Sequence, residues 1–336
     1  TTATDSFNVA VGEDAGLEVT TGASNTLIGG LAGDALTTGN SNVAVGTASL
    51  TTDTLGDRAV AIGVGALENQ NFTTSTDNYN VAVGRDAGND ITTGTFNTLI
   101  GGLVGDVLTD ADYNVAVGHG SLSTDTLGSN SVAVGTFALA NQNFTTATNS
   151  YNTGVGYEAG SQVTTGVKNT FIGGLTGDAI TSGTLNTAVG SSALTADTLG
   201  NKTTAIGEGA LAVQNFTTAT DAFNVALGYQ AGVAVTTGVQ NTLIGATAGL
   251  FVTTGTNNII IGYLAGAHAT SLSTGGNNTL VGTFSDTSSV DTNAAVILGY
   301  NVTGEGGYTT LGDSTNEIRA AHGNVTWATV SDQRYK

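Results

Sequence analysis

The 336-residue chain has no cysteine, so disulfides and thiolate metal sites are excluded and the redox compartment stays open. It has no proline either. Proline removes a backbone donor, and its absence is expected where nearly every N–H is needed in a ladder. Methionine is also missing, so Thr1 is not a translation start and the chain is expected to be a fragment or a processed product. No apolar run approaches the roughly 18 residues of a membrane helix, and no membrane insertion is expected. Lys and Arg number 7 against 26 Asp and Glu, a net charge of −19. So few cations argue against nucleic acid or anionic lipid as a partner; the excess of acid suits solubility.

What the chain does have is a repeat. Its pattern is plainest in residues 25–41, NTLIGGLAGDALTTGNS. A glycine closes the first apolar run of each copy, at Gly12, Gly29, Gly46, Gly63, Gly84 and onward to Gly282. The spacings are 17, 17, 17 and 21, three times over, then 17, 17 and 20. A higher unit of four coils therefore begins at Gly12, Gly84, Gly156 and Gly228. A fixed short period marks a solenoid, in which each turn of chain buries its apolar face only against its neighbours. Apolar runs of four or five residues rich in Val and Thr make those turns strands rather than helices. The expectation is an all-β, parallel β-solenoid (β-roll) of 17-residue coils. Residues 1–282 form the repeat shaft, 283–330 its end coils, and 331–336 a separate start.

Within each coil the residues one and three before the anchoring glycine are aliphatic or Thr, as Val9 and Val11, Thr26 and Ile28, Val43 and Val45. They share one face of a strand, read here as the coil interior. The residue between them, Ala10, Leu27, Ala44, Ala61 or Ala82, lies on the opposite face and is apolar too. A strand apolar on both sides is covered on both sides. The outer alanine-and-leucine stripe would then be too long for a soluble monomer, so the expected partner is the same chain, in a homo-oligomer about a common axis.

The second half of each coil, as Leu36-Thr37-Thr38-Gly39, reads as a second strand and a glycine corner. Asn recurs four residues before most anchors, at Asn8, Asn25, Asn42, Asn80, Asn97 and Asn114. It is either a stacked ladder or a simple turn preference. Every fourth coil carries four extra residues, in 68–79, 140–151 and 212–223. Insertions in solenoids map to loops that often bind. Asn71, Phe72, Asn143, Phe144, Asn215 and Phe216 are therefore candidate surface-binding residues, with a buried plug as the competing role for the phenylalanines.

No catalytic or metal motif stands out. The glycine-rich segment 28–34 lacks the Lys-Ser/Thr of a phosphate loop. Asp34, Asp106 and Asp178 recur only once in every four coils, too sparsely for a continuous Ca2+ ladder. No cofactor is expected; isolated Ca2+ sites stay open.

Two resemblances add to this. The ending Ser331-Asp332-Gln333-Arg334-Tyr335-Lys336 resembles the opening of the endosialidase-type intramolecular chaperone, the C-terminal domain of phage tail fibres and tailspikes. Ser331, Asp332, Arg334 and Lys336 match its Ser-Asp-x-Arg-x-Lys pattern; Tyr335 departs from the usual residue. The resemblance implies trimer assembly and self-cleavage at the Ser331–Asp332 junction in a full-length parent, with Ser331 as nucleophile and Lys336 as its base. The N-x-A-[VI]-G repeats are similar to the β-roll heads of trimeric autotransporter adhesins, whose repeat is somewhat shorter. Both imply a homotrimer, intertwined or side by side. The function they imply is a non-enzymatic tail-fibre shaft outside the cell, joined to other virion tail proteins, that attaches to a host polysaccharide or protein receptor. An extracellular bacterial adhesin or filament subunit is the alternative, and a polysaccharide depolymerase a further one.

Overall fold

A computed structural model describes residues 6–323 and the backbone strand Ala328–Thr329. The fold is a β-solenoid, all-β, with no helix among the described residues. The chain divides into two compact units, Thr1–Lys168 and Asn169–Lys336.

In the first unit each coil contributes one three-residue strand, from Val9–Val11 through Thr26–Ile28, Val43–Val45, Val60–Ile62, Val81–Val83, Thr98–Ile100, Val115–Val117 and Val132–Val134 to Thr153–Val155. Neighbours pair in parallel and in strict repeat register, Leu27 with Ala44 and Ala61 with Ala82. The longer spacing of every fourth coil leaves that register unchanged, so the extra residues are absorbed outside the sheet. The second unit repeats the arrangement from Thr170–Ile172 to Val296–Tyr300. There Tyr308–Asp313 adds in parallel, and Asn316–Ala321 then turns back antiparallel. Within the expected end coils of 283–330, Tyr308–Asp313 and Asn316–Ala321 thus form a hairpin.

The two faces of the strand are exchanged relative to expectation. The middle residues Leu27, Ala44, Ala61, Ala82, Leu99 and Ala116 point into their own coil and are buried within a single chain. Their flanking residues point outward, and Ile62 and Ile100 stay 37% and 40% exposed. The narrow coil decides this. Only one inward residue per strand fits, and it shares its parity with the buried Asn two residues earlier. The alanine-and-leucine side therefore needs no sister chain; the apolar stripe left open is the Val/Thr and Ile/Val side.

The expected second strand is mostly a corner. Near Thr37 the backbone N–H and hydroxyl of Thr20 and the N–H of Gly22 converge on one carbonyl, that of Thr37, at 2.9, 3.0 and 3.3 Å. These bonds join successive coils, but several donors on one acceptor are not the regular pairing of a strand ladder. Among the described residues, strand pairing in this half is limited to two-residue pieces such as Gly56–Asp57 with Thr76–Asp77.

Volume exchange inside the coil explains the four-coil unit. In the units that begin at Gly12, Gly84 and Gly156, two coils of the four place Gly and an aliphatic in the interior, as Gly33 with Leu36 and Gly105 with Leu108. The other two place Leu with a polar group, as Leu50 with Asp53 and Leu67 with Gln70. Leu99 fills the space two glycines leave: a Cβ on Gly88 or Gly105 would stand 2.8 or 3.1 Å from its methyls. Close packing of this kind tolerates little change of volume. The anchor column needs glycine for another reason. Gly46 has φ 140°, and a side chain there would collide with the carbonyl of Gly63 in the next coil.

Candidate functional site

The asparagines form a ladder that runs through the backbone. The Asn25 N–H donates to Asn8 Oδ1 at 2.8 Å, and the Asn42 N–H to Asn25 Oδ1 at 2.9 Å. The amide nitrogens donate to corner carbonyls, Asn25 Nδ2 to Gly39 O at 2.8 Å and Asn42 Nδ2 to Gly56 O at 2.9 Å. One buried side chain thus satisfies two backbone groups that a sheet would otherwise pair. Turn preference alone does not describe it.

The ladder lacks its Asn at Ala59, Ser131 and Thr203, and the insertions sit beside those gaps. Gln70, carried by the first insertion, donates Nε2 to the buried Asp53 Oδ2 at 2.7 Å and accepts Asn80 Nδ2 at 2.8 Å. Asp53 Oδ1 also accepts the N–H groups of Gly56 and Phe72, at 3.0 and 3.1 Å. Gln142 with Asp125 and Gln214 with Asp197 repeat the arrangement. Burial raises the pKa of Asp53, Asp125 and Asp197 above the ordinary carboxylate value; the amide and backbone donors offset this only in part.

Phe72, Phe144 and Phe216 are buried, at 5, 6 and 5% exposure, and are not surface-binding residues. Each plugs the coil beside its aspartate, and its carbonyl accepts a threonine hydroxyl, Thr54 Oγ1 on Phe72 O at 3.0 Å. Asn71, Asn143 and Asn215 accept from Thr54, Thr126 and Thr198 at 3.2, 3.4 and 3.1 Å, so their amides serve the coil as well. The longest exposed run of each insertion is its tip, Thr73 to Ser75 and the equivalents, with Asp77 and Tyr79 exposed after it; of the three candidate asparagines Asn215 is exposed. Ser331, Asp332 and Lys336 lie outside the described residues.

Two surface features were not anticipated. The first is the outward sheet face just described. The second is a row of aromatic rings one corner away, on the residues before Asn80, Asn97 and Asn114. Tyr79, Phe96 and Tyr113 stack with centroids 5.4 and 5.0 Å apart and interplanar angles of 19° and 7°. The guanidinium of Arg58 lies 5.3 Å over the Tyr79 ring and is paired with Asp77. The signal was legible as aromatics one coil apart, but it needed the left-handed backbone there to turn them outward; φ is 50°, 58° and 58° at the three rings.

Acids gather in an open depression of about 310 Å3 lined by Asp86, Asn89, Asp90, Leu103, Asp106 and Val107. Burial first, then Asp90 and Asp86, raises the Asp106 pKa. No set of three or more metal-ligating side chains comes together among the described residues.

Comparison with protein-family models, curated proteins and solved structures found no match for this chain.

Proposed function

We propose that this chain is a non-catalytic fibre shaft of the phage tail-fibre type, assembled from copies of itself, that carries contact with a host surface. The observation that supports assembly is the outward sheet face. In the first unit its columns run Val9, Thr26, Val43, Val60, Val81, Thr98 and Val11, Ile28, Val45, Ile62, Val83, Ile100, continuing to Thr153 and Val155. Nine strands at ~4.8 Å, two outward residues wide, make a face of roughly 550 Å2. That is the upper end of what a soluble monomer leaves open. The columns carry no charged residue, so water and like-charge repulsion do not protect the face. Sister chains applied to it would bury β-branched side chains against one another.

The number three rests on the two sequence resemblances, as do the virion location and the self-cleavage of a longer parent. Repeated surfaces suit attachment by many weak contacts. Light scattering at working dilution tests the assembly: a mass of three chains is expected. A well-folded single polypeptide would remove the physical basis of the proposal. Adsorption of the purified chain to bacterial cells tests the attachment.

A further inference from the structure

The aromatic row has a closed end and an open one. Arg58 covers the first face of Tyr79, and Phe96 separates the two tyrosines. Beyond Tyr113 the next coil carries Asn130 in the same column, and the coil after that carries Tyr151. Asn130 Nδ2 is bonded to Asn149 Oδ1 of the following coil at 2.9 Å, which draws the amide away from Tyr113. Tyr113 is accordingly the most exposed of the stacked rings, 55% against 45% for Tyr79 and 42% for Phe96, and Tyr151 is 53% exposed. The row is missing one rung. Two coils at ~4.8 Å leave about 9.6 Å between the columns of Tyr113 and Tyr151, enough for one flat ring between them.

The rings sit where backbone preference does not put them. The column is left-handed throughout, and Asn130, Asn257 and Asn277 are the residues that conformation favours. Tyrosine and phenylalanine there give up backbone ease and stay about half exposed. They do form a rigid, preorganised platform, since each ring is held by the next and the first by Arg58.

We propose that the open face of Tyr113, floored by Asn130 and opposed by Tyr151, is a subsite for a neutral hexopyranose unit of a cell-surface glycan. This rests on the attachment reading and names its ligand. A pyranose presents an apolar face of C–H bonds, whose partial positive charge suits the negative face of an aromatic ring. Its rim of hydroxyls both donates and accepts. Beside Tyr113 the carboxylate of Asp112 accepts from the Thr95 N–H and hydroxyl at 2.7 and 2.8 Å through one oxygen, leaving the other for a sugar hydroxyl. The Asn130 and Asn149 amides offer both donors and acceptors. Charge selects against anionic sugars at this rung: Asp110 and Asp112 precede the ring in sequence, Arg58 at the start of the row is already paired, and Lys168, the other cation of this column in the first unit, lies one coil beyond Tyr151. The same argument disfavours a nucleic-acid base.

The test uses the full chain, fluorescently labelled, on a printed array of neutral and acidic bacterial polysaccharides, with adsorption to a panel of intact bacteria alongside. Binding to one or more neutral polysaccharides is expected. Tyr113→Ala should weaken it about tenfold, the size of one aromatic stacking contact, and Tyr113→Phe, which keeps the face, should hold it within about threefold. Circular dichroism and light scattering of each variant should match the parent, because the ring is exposed. The subsite is overturned if Tyr113→Ala binds as the parent does, if acidic polysaccharides are the ones selected, or if the chain adsorbs to cells and binds no polysaccharide. In each of those cases adsorption to cells would leave the attachment reading standing. Failure to bind cells and polysaccharides alike would remove both.

Discussion

Gln70→Leu exposes how the buried aspartates are tolerated. The substitution keeps the side chain's approximate volume and removes two hydrogen bonds, from Gln70 Nε2 to Asp53 and from Asn80 Nδ2 to Gln70. Asp53 keeps its backbone donors from Gly56 and Phe72, and Asn80 keeps Gly94 O at 2.7 Å. The loss is one hydrogen bond to a buried charge and one neutral bond, together about 3 kcal/mol at neutral pH. The sign with pH follows from linkage. Asp53 already has a folded pKa above its ordinary value of 3.8, so its contribution to stability is fullest below that value and is lost as pH rises through the folded one. Removing Gln70 takes away the largest influence that lowers this pKa, so the folded value climbs further. The variant should therefore fall short of the parent by most at pH ~7 and by less at pH ~4, because protonation of Asp53 as pH falls through its raised folded pKa removes the charge that Gln70 serves. Guanidinium midpoints at one fixed protein concentration, taken at both pH values, measure the difference. An equal gap at the two pH values, or no gap at neutral pH, would refute the reasoning.

Other outcomes follow from the packing. Leu99→Ala empties the space left by Gly88 and Gly105, whose neighbours cannot collapse into it, and should cost about 3–5 kcal/mol by chemical denaturation. Gly46→Ala sets a side chain against the Gly63 carbonyl in a conformation open only to glycine; a loss of about 2–4 kcal/mol, or failure to accumulate soluble protein, is expected on expression and melting. The pair Ile62→Asp and Val83→Asp places charge in the outward face. The double variant should sediment as a folded single chain where the parent assembles, and an unchanged mass would show that the face is not the interface.

The period, the parallel register and the glycine anchors were all legible in the sequence, because each follows from a spacing. The faces were not. Val-Ala-Val and Thr-Leu-Ile are apolar at every position, so hydropathy cannot tell inside from outside. The discriminating signals were size and parity: Ala and Leu trade volume with glycines one turn on, and Asn shares their direction. A polar residue is ordinarily placed at the surface, and only the backbone bonds of the Asn ladder show why here it is inside. Phe72 was ambiguous for the same reason, since an insertion suggests exposure while a large ring suggests burial. The Asp53–Gln70 pairing hides in two motifs, DTLG and NQNF, that are separate in sequence and meet only when coils stack. The aromatic row was visible as letters, but its orientation depends on left-handed residues that Tyr and Phe rarely supply.

The interior volume pattern has an evolutionary consequence. Since the same sequence of large and small cross-sections returns in the cassettes that begin at Gly12, Gly84 and Gly156, a recombination that adds or deletes one of them brings together surfaces that already fit. The length of this protein can change in whole cassettes with little compensating substitution, whereas a gain or loss of one lone coil within them would bring unlike interiors together. Length polymorphism among related genes should be quantised accordingly.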